Sequence, residues 1–209
     1  MTGNVLLAAH STGGLNAKVP SCRQTRSYRD RSGIGKIKLF RMMPNLDLIP
    51  AGQDQQPVLA NMLELYAHDF SEFHPIELGD DGRFGYKNLP LYWSDSNRQP
   101  FLARLQGKLA GLVLIKRGSE ISANPDVWDM AEFFILRRYR RRGVGKELAA
   151  RVWRRCPGSW EVRVRANNVP ALEFWHSAVA KFTGHAVNSV RIEIDGVSWH
   201  VLSFEASSH

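Results

Sequence analysis

A basic, glycine-containing segment at residues 137–146 could bind an anionic ligand. Five of the six residues from 137 to 142 are arginines, and Gly143, Gly145 and Lys146 follow them. The flanking apolar patterns predict a strand before this segment and a helix after it. A helix N-terminus presents unpaired backbone N–H groups and partial positive charge, so it stabilises phosphate groups. The segment therefore predicts a phosphate-binding turn, although a solvated basic turn would have the same composition.

The spacing within this segment separates it from other phosphate-binding patterns. It matches neither G-x-x-x-x-G-K-[ST] nor G-x-G-x-x-G. The pattern Arg140-x-x-Gly143-x-Gly145 instead resembles the Q/R-x-x-G-x-G/A signature of the GCN5-related N-acetyltransferase (GNAT) superfamily. A second segment, Asn168 to Trp175, is similar to the family's N-x-x-A-x-x-(aliphatic or aromatic)-Y motif. The run Met130 to Leu136 resembles a poorly characterised bacterial group of predicted acetyltransferases.

The resemblance implies a site for acetyl-coenzyme A as acyl donor, without a metal. The turn would hold the pyrophosphate, the strand before it would pair with the pantetheine amides, and the asparagine of the second motif would contact the coenzyme arm. The residues implied are Phe134, Ile135, Leu136, Arg140, Arg141, Arg142, Gly143, Val144, Gly145, Lys146 and Asn168. A helix cap is an equally good role for Asn168, and the two roles are compatible.

Glu132 is the candidate general base. An alkyl amine has a pKa near about 10.4, so it is mostly protonated at pH 7. A carboxylate on the strand beside the coenzyme could take the amine proton; the alternative for Glu132 is an ion pair with an arginine. The family often has a tyrosine as general acid where this chain has Trp175. Because an indole is not a usable acid, we interpret Trp175 as a core residue.

Acceptor-binding residues are predicted around the first helix and the loop after it. Asp69 and Glu72 could bind a cationic acceptor, and Tyr92, Trp93 and Trp128 could line its pocket, although aromatic side chains there often serve packing. The resemblance thus implies an N-acyltransferase that acts on a small-molecule or peptide amine by direct attack in a ternary complex. A non-catalytic acyl-CoA sensor is the alternative, because the tyrosine is missing. Neither cysteine lies on a motif, so no covalent acyl-enzyme is expected.

The elements that must position these residues follow from periodicity. The order is β, α, loop, β, β, β, α, β, α, β, β, with a loop at residues 71–96 and a hairpin at Asp195-Gly196. This order predicts an α+β fold with α/β/α layers, in which helices flank a central mixed, mostly antiparallel sheet. It is similar to the GNAT order over roughly residues 43–205.

The formal net charge of +8 is concentrated near the N-terminus. Residues 1–41 contain eight Lys or Arg against the single Asp30, a net of +7, so residues 42–209 carry about +1. We predict a basic, disordered extension at 1–41 and one acyltransferase domain at 42–209. The extension could be a nucleic-acid-binding arm, but no aromatic or motif pattern accompanies its charge, so we favour a dispensable extension and expect no nucleic-acid partner.

The sequence indicates a cytoplasmic protein. No apolar run is long enough for a membrane span, and no secretory signal is apparent. The two cysteines, Cys22 and Cys156, suggest neither a disulfide framework nor a metal site, in agreement with a reducing compartment. Many family members dimerise, so the resemblance is compatible with a homodimer.

Overall fold

Seven strands and four helices form within residues 45–207, the part of the chain that the computed structural model describes. The strands are β1 (Leu46–Pro50), β2 (Arg98–Leu105), β3 (Lys108–Arg117), β4 (Trp128–Ile135), β5 (Gly158–Arg165), β6 (Ser189–Ile194) and β7 (Val197–Ala206). The helices are α1 (Gln56–Phe70), α2 (Leu91–Ser94), α3 (Val144–Arg155) and α4 (Val169–Thr183). None of these helices is long and apolar enough to cross a membrane. The extension predicted at residues 1–41 lies outside the described residues.

The strands form one sheet in the order β1-β2-β3-β4-β5-β7-β6. β4 and β5 are parallel, and every other neighbouring pair is antiparallel. The predictions of the element order and of a mixed, mostly antiparallel sheet are therefore confirmed. The predicted hairpin is also confirmed, since Asp195 and Gly196 have φ of 51° and 74°, the geometry of a type I′ turn between right-twisted strands.

Helices α1 and α2 cover one face of the sheet. α1 buries Leu59, Met62 and Leu63 at helical spacing, and Tyr92 of α2 packs in the same apolar layer, which includes Phe134 of β4. Each large apolar side chain that is fully buried stabilises the fold by roughly 1.5–3 kcal/mol. This stripe therefore fixes α1 against the sheet along its whole length.

Helices α3 and α4 cover the opposite face. Val144, Leu148 and Val152 of α3 are at most 1% exposed, and their spacing of four residues places them on one side of the helix. Trp153 of α3 packs against Trp175 of α4, with ring centroids 6.2 Å apart. These contacts confirm the predicted amphipathic helix and bring α4 to the same face as α3.

A bulge in β4 changes which side chains face each layer. Two consecutive residues of β3 pair with Glu132 and Met130, so Ala131 is left without a partner. A residue outside the register reverses the alternation of side chains beyond it. Asp129 and Glu132, three positions apart, consequently lie on the same face, the one covered by α1.

β4 and β5 run side by side for only two residue pairs, Trp128–Trp160 and Asp129–Glu161. β4 continues to Ile135, but the two strands diverge after Asp129. Backbone groups on this side of β4 therefore face an opening, which we call the β4–β5 gap. An exposed strand edge of this kind can pair with an extended ligand.

Four charged side chains close the narrow end of the β4–β5 gap. Arg163 Nη2 donates to Asp129 Oδ2 at 2.6 Å, and Arg163 Nη1 donates to Glu120 Oε2 at 3.1 Å. Lys116 pairs with Glu120 and lies 3.6 Å from Asp129. Burial raises the pKa of Asp129, and the charges of Arg163 and Lys116 oppose that effect. Because two carboxylates pair with two cations, their mutual attraction offsets the free-energy cost of removing these charges from water.

Cys156 is buried at the C-terminal end of α3. No free thiol is present among residues 45–207. The spacing of the two cysteines predicted no disulfide framework, but the Cys156 sulfur is not a free thiol. Cys22 lies outside the described residues.

Replacing Arg163 with methionine should destabilise the fold by about 3–5 kcal/mol, because the buried Asp129 carboxylate would lose its closest cation. Urea denaturation at pH 7 measures the change in the free energy of unfolding. Arg191→Met is the matched control, since Arg191 is exposed on β6 and its removal should cost less than about 0.5 kcal/mol. Equal losses in the two variants would show that the buried ion pair does not stabilise the fold.

Candidate active site

The turn before α3 contains a row of backbone N–H groups that have no backbone acceptor among the described residues. Arg141 and Gly143 have positive φ of 59° and 80°, and Gly143 caps the N-terminus of α3. Within residues 45–207, no N–H group from 141 to 146 donates to a backbone carbonyl; the first to do so is Glu147 N, to Gly143 O at 3.1 Å. Such a row at a helix N-terminus forms an anion-binding concavity. The predicted pyrophosphate turn thus has the donors that this role requires.

Gly145 allows α3 to approach α4 closely. A Cβ at this position would lie 3.0 Å from Cε2 and 3.2 Å from Cζ of Phe174. The Phe174 ring in turn stacks on Phe133 of β4, with centroids 5.8 Å apart. The second glycine of the motif therefore governs the packing around the β4–β5 gap and also keeps the backbone open to a ligand.

The side chain of Arg140 is bound by protein groups. Its Nε donates to Ile135 O at 2.7 Å, its guanidinium lies 5.4 Å from the Phe134 ring centroid, and its Nη2 donates to Asp69. Arg137 also pairs with Asp69, at 2.7 Å. Arg140 therefore holds the turn against the end of β4, and any coenzyme contact would come from its backbone or from a rearranged side chain.

Asp69, a predicted acceptor residue, lies at the end of α1 and pairs with two arginines of the basic segment. Partial burial alone would raise its pKa, but hydrogen bonds from Arg137 and Arg140 outweigh that effect and lower the pKa. Both carboxylate oxygens bind these arginines. Asp69 is thus a partner of the basic turn, and its charge is already compensated before any cationic acceptor arrives.

The backbone groups of Phe133 and Ile135 face the β4–β5 gap. Leu136 N donates to Ala110 O of β3 at 2.9 Å, and alternate residues of an antiparallel strand bond to the same neighbour. The backbone groups of Phe134 and the N–H of Leu136 therefore point to β3. The predicted pantetheine pairing does not hold for these two residues, and Phe133, which was not predicted, takes a place beside Ile135.

The second motif supplies a helix cap and a core residue. Asn168 Oδ1 accepts from Ala171 N at 3.1 Å. This cap uses the side-chain oxygen and leaves the amide nitrogen available to a ligand. Trp175 is 6% exposed and packs edge-to-face on Phe133, with centroids 4.9 Å apart. Trp175 is a core residue, as predicted, and no hydroxyl occupies its position.

Glu132 lies at the bulge of β4 and is only 2% exposed. Tyr86 Oη donates to Glu132 Oε1 at 3.0 Å, and the hydroxyl of Tyr66 of α1 lies close enough to interact with the same carboxylate. Its hydrogen-bond partner among the described residues is therefore a tyrosine and not the arginine that the alternative interpretation required. The same two tyrosines have pKa values raised by burial and then by the Glu132 charge, so their hydroxyls stay protonated as donors.

Burial raises the pKa of Glu132 to about 7, and the hydrogen bonds from Tyr66 and Tyr86 limit that rise. The nearby Asp129 charge raises the pKa further, whereas Arg163 lowers it. A carboxyl group with this pKa exchanges protons readily near neutral pH, which is the property of a general base.

Three other predicted acceptor residues lie near the α1 side of the site. Tyr92 is 3% exposed and close enough to Glu132 for the carboxylate charge to raise its pKa, after burial as the main cause. Trp93 is half-buried, and its Nε1 donates to Ala51 O at 2.9 Å. Glu72 is exposed just after α1. Contact of any of them with an acceptor stays a prediction.

Trp128 does not line a pocket beside Glu132. It is 5% exposed, stacks on Trp160 with centroids 5.9 Å apart, and belongs to the layer under α3 and α4. The bulge at Ala131 is the reason, because it places Trp128 and Glu132 on opposite faces.

Tyr66 and Tyr86 are candidate functional residues that the sequence did not reveal. Tyr66 falls on the apolar stripe of α1, where the pattern indicates packing. Tyr86 lies in the loop at 71–96, which has no periodicity. The hydrogen bond between Tyr86 and Glu132 joins residues 46 positions apart, and no local signal predicts such a contact.

Comparison with known proteins places this site in a family. The sequence matches the family model described as acetyltransferase (GNAT) family over residues 59–178, more than half of the chain. No curated protein sequence matches it.

Solved structures share the fold at low sequence identity. An acetyltransferase from Thermus thermophilus is similar with a TM-score of 0.59 at 18% identity, covering 78% of this chain and 99% of that one. The protein yncA from Salmonella typhimurium, solved with its cofactor acetyl-CoA, has a TM-score of 0.53 at 11% identity, covering 79% and 96%. Spermidine N-acetyltransferase from Vibrio cholerae, in complex with CoA and spermine, has a TM-score of 0.53 at 14% identity, covering 78% and 97%. With the glycine turn, the β4–β5 gap and the family match in agreement, this chain belongs to the GNAT acetyltransferase family.

Proposed function

We propose that the protein is an acyl-CoA-dependent N-acyltransferase, with acetyl-CoA as donor, that transfers the acyl group to a primary amine by direct attack in a ternary complex. The observation that carries this proposal is the Glu132 carboxyl group, buried on the strand that borders the β4–β5 gap and with a pKa of about 7. Burying an ionisable group costs stability, and strongly shifted groups of this kind cluster at catalytic sites.

The coenzyme would bind along the gap. The N–H groups of residues 141–146 would hold the pyrophosphate, with the exposed Arg141 and Arg142 adding positive charge. The gap-facing backbone of Phe133 and the N–H of Ile135 would pair with the pantetheine amides, as an added strand pairs with a sheet edge; the Ile135 carbonyl already accepts from Arg140 Nε. This arrangement directs the thioester along β4 toward the bulge that carries Glu132.

Glu132 would remove a proton from the acceptor. Transfer from an alkyl ammonium with pKa about 10.4 to an ordinary glutamate costs about 8 kcal/mol, but transfer to a group with pKa about 7 costs about 5 kcal/mol. The raised pKa therefore lowers the cost of this step by about 3 kcal/mol. Because Glu132 is 2% exposed, we place an ordered water between the amine and the carboxylate.

The neutral amine then attacks the thioester carbonyl. A C–N bond forms, the C–S bond breaks, and the sulfur leaves as thiolate. Trp175 supplies no acidic hydroxyl, but a thiol with pKa near about 8.5 loses only about 2 kcal/mol by leaving unprotonated at pH 7. Solvent can therefore protonate the thiolate after it leaves.

An acceptor could reach the site from the side of α1. A cavity of about 520 Å³ lies between α1 and the loop that follows it, and Tyr86 lines this cavity as well as bonding to Glu132. The cavity lining also includes three carboxylates, Glu64, Glu77 and Asp81, against one cation, Arg83. This balance suits a cationic amine more than an anionic one.

A non-catalytic acyl-CoA sensor is the second candidate function. The burial of Trp175 favours it, since the site lacks the hydroxyl that family members often use as an acid. The position of Glu132 favours the enzyme, because a sensor requires no base. Binding of acetyl-CoA by the wild-type protein, without thiol release across a broad panel of primary amines, would support the sensor.

Substitution of Gly143 by glutamate should weaken acetyl-CoA binding at least about tenfold, equivalent to about 1.4 kcal/mol, because a carboxylate would repel the pyrophosphate. Isothermal titration calorimetry measures the Kd. Gly184→Glu is the matched control: Gly184 also has a positive φ, of 83°, at the far end of α4, so it shares the backbone strain but not the location. Equal affinity for acetyl-CoA in the two variants would contradict binding of the pyrophosphate at the turn before α3.

Glu132→Gln should lower kcat/KM by about 10²–10⁴-fold, because an amide cannot accept the amine proton. Release of coenzyme A thiol from acetyl-CoA measures the rate. In the wild type, kcat/KM should rise with pH up to about 7 as Glu132 ionises. The variant should not show this rise in its pH profile. The control Glu193→Gln removes an exposed carboxylate on β6 and should leave the rate unchanged; an active Glu132→Gln enzyme with the wild-type profile would exclude Glu132 as the base.

The same variant should be more stable than the wild type at alkaline pH. The folded-state pKa of Glu132, about 7, exceeds its ordinary value of 4.5, so the stability due to its neutral form is complete below pH 4.5 and is lost as pH rises through 7. Glu132→Gln is uncharged throughout, so it should gain up to about 3 kcal/mol relative to wild type at pH 8. Thermal unfolding from pH 5 to 8 measures this difference, and a gain independent of pH would contradict the raised pKa.

A further inference from the structure

Two tyrosine hydroxyls from different elements converge on the Glu132 carboxylate. Tyr66 comes from α1, and Tyr86 comes from the loop between α1 and α2, with its Oη 3.0 Å from Glu132 Oε1. Both are neutral donors, so they stabilise the carboxylate without adding a positive charge to a site that must receive a cationic amine.

The Tyr66 ring is held in place by aromatic contacts. It stacks on Phe70 of the same helix, with centroids 5.6 Å apart, and packs at a tilt on Phe134 of β4, with centroids 5.8 Å apart. These contacts on two sides restrict the ring, so its hydroxyl returns to the same point beside Glu132.

Tyr86 is placed by a carboxylate of α1. Glu64 accepts the backbone N–H of Phe84 at 2.7 Å and the backbone N–H of Gly85 at 3.0 Å. Loop segments are mobile unless their backbone groups are bound. Glu64 thus fixes the two residues before Tyr86. The Tyr86 side chain is therefore held in position although it belongs to a loop.

The other ionisable groups around Glu132 come from three elements. Tyr92 of α2 and Asp129 of β4 lie close to it, and Arg163 of β5 influences it from the ion cluster. Arg163 is itself paired with Asp129 and Glu120, so much of its charge is compensated. Among the described residues, Tyr86 is therefore the hydrogen-bond donor to the Glu132 carboxylate, and the Tyr66 hydroxyl lies beside the same carboxylate.

We propose that Tyr66 and Tyr86 are positioning residues, which fix the orientation of the Glu132 carboxylate and stabilise its negative charge. Tyr86 also lines the acceptor-side cavity, so it connects the loop at that cavity to the base. This inference rests on the proposed function only for its kinetic test, because the ionisation of Glu132 can be observed without turnover.

The direct test is titration of Glu132 by NMR in protein labelled with ¹³C at the glutamate carboxyl carbon. The signal of Glu132 is identified by its loss in Glu132→Gln. In Tyr86→Phe and in Tyr66→Phe, the midpoint should move to higher pH by about one unit, because a hydrogen bond to a charged group is lost while burial is kept. The double variant should shift further, and an unchanged midpoint in all three would overturn the proposal.

The matched control is Thr183→Val, which removes hydroxyl hydrogen bonds to Val179 O and His185 O at the far end of α4. It should leave the Glu132 midpoint unchanged, and a shift equal to that of Tyr86→Phe would indicate a general effect of destabilisation and overturn the proposal. Glu64→Ala provides a second approach that leaves both tyrosines in place. By freeing the segment before Tyr86, it should shift the midpoint in the same direction by a smaller amount, and no shift would contradict the role given to this loop.

The kinetic test compares pH profiles of kcat/KM. If Glu132 is the base, each tyrosine variant should lose about tenfold at pH 6 and recover most of this loss at pH 9, whereas a merely structural role would lower activity equally at all pH values. Failure of the proposed function has a different signature. In that case Glu132→Gln would leave thiol release unchanged while the tyrosine variants still shifted the NMR midpoint.

Discussion

The separation of β4 from β5 is the constraint on which the rest of the structure depends. The strands share only two residue pairs, and the sheet is otherwise continuous on both sides of this point. A buried strand whose backbone groups lack a neighbour must find another partner, since unpaired N–H and C=O groups are costly away from water. The gap therefore predisposes the fold to bind an extended amide-containing ligand, and the turn after β4 places its unpaired N–H groups at the end of the same gap.

Two carboxylates on β4 are equally buried but have different partners. The bulge at Ala131 turns Asp129 and Glu132 to the same buried face. Asp129 has cationic partners, Arg163 and Lys116, so its charge is compensated. Glu132 has neutral tyrosine donors, which leave its ionised form only partly stabilised. The two carboxylates thus differ in the partners that other elements supply and not in burial, which is the same for both.

The basic turn also depends on distant parts of the chain. Asp69 at the end of α1 holds Arg137 and Arg140, and Phe174 of α4 packs where a side chain at Gly145 would lie. Three of the four helices therefore meet at the turn before α3, and α1 also carries Tyr66 to Glu132. Helix α1 thus contacts both the basic turn and the surroundings of Glu132.

The sequence by itself determined the elements and the glycine-containing turn before α3, because these depend on local periodicity, glycine spacing and helix-end electrostatics. The helix at Gln56–Phe70, the Asp195-Gly196 hairpin and the order of helices and strands along the chain all follow from patterns within a few residues. The tertiary structure alone decided the partners of the site. A one-residue bulge cannot be recognised from alternation in a strand that is apolar on both faces, so the sequence grouped Trp128 with the acceptor-pocket residues. It also assigned Phe134, Ile135 and Leu136 together to the coenzyme, although successive residues of a strand present their backbone groups to opposite sides. Asp69 bound to arginines, and Tyr66 and Tyr86 on Glu132, are contacts between residues 46 or more positions apart. Such contacts form only when the chain packs, because packing brings distant residues together and the low dielectric of the interior strengthens the hydrogen bonds between them.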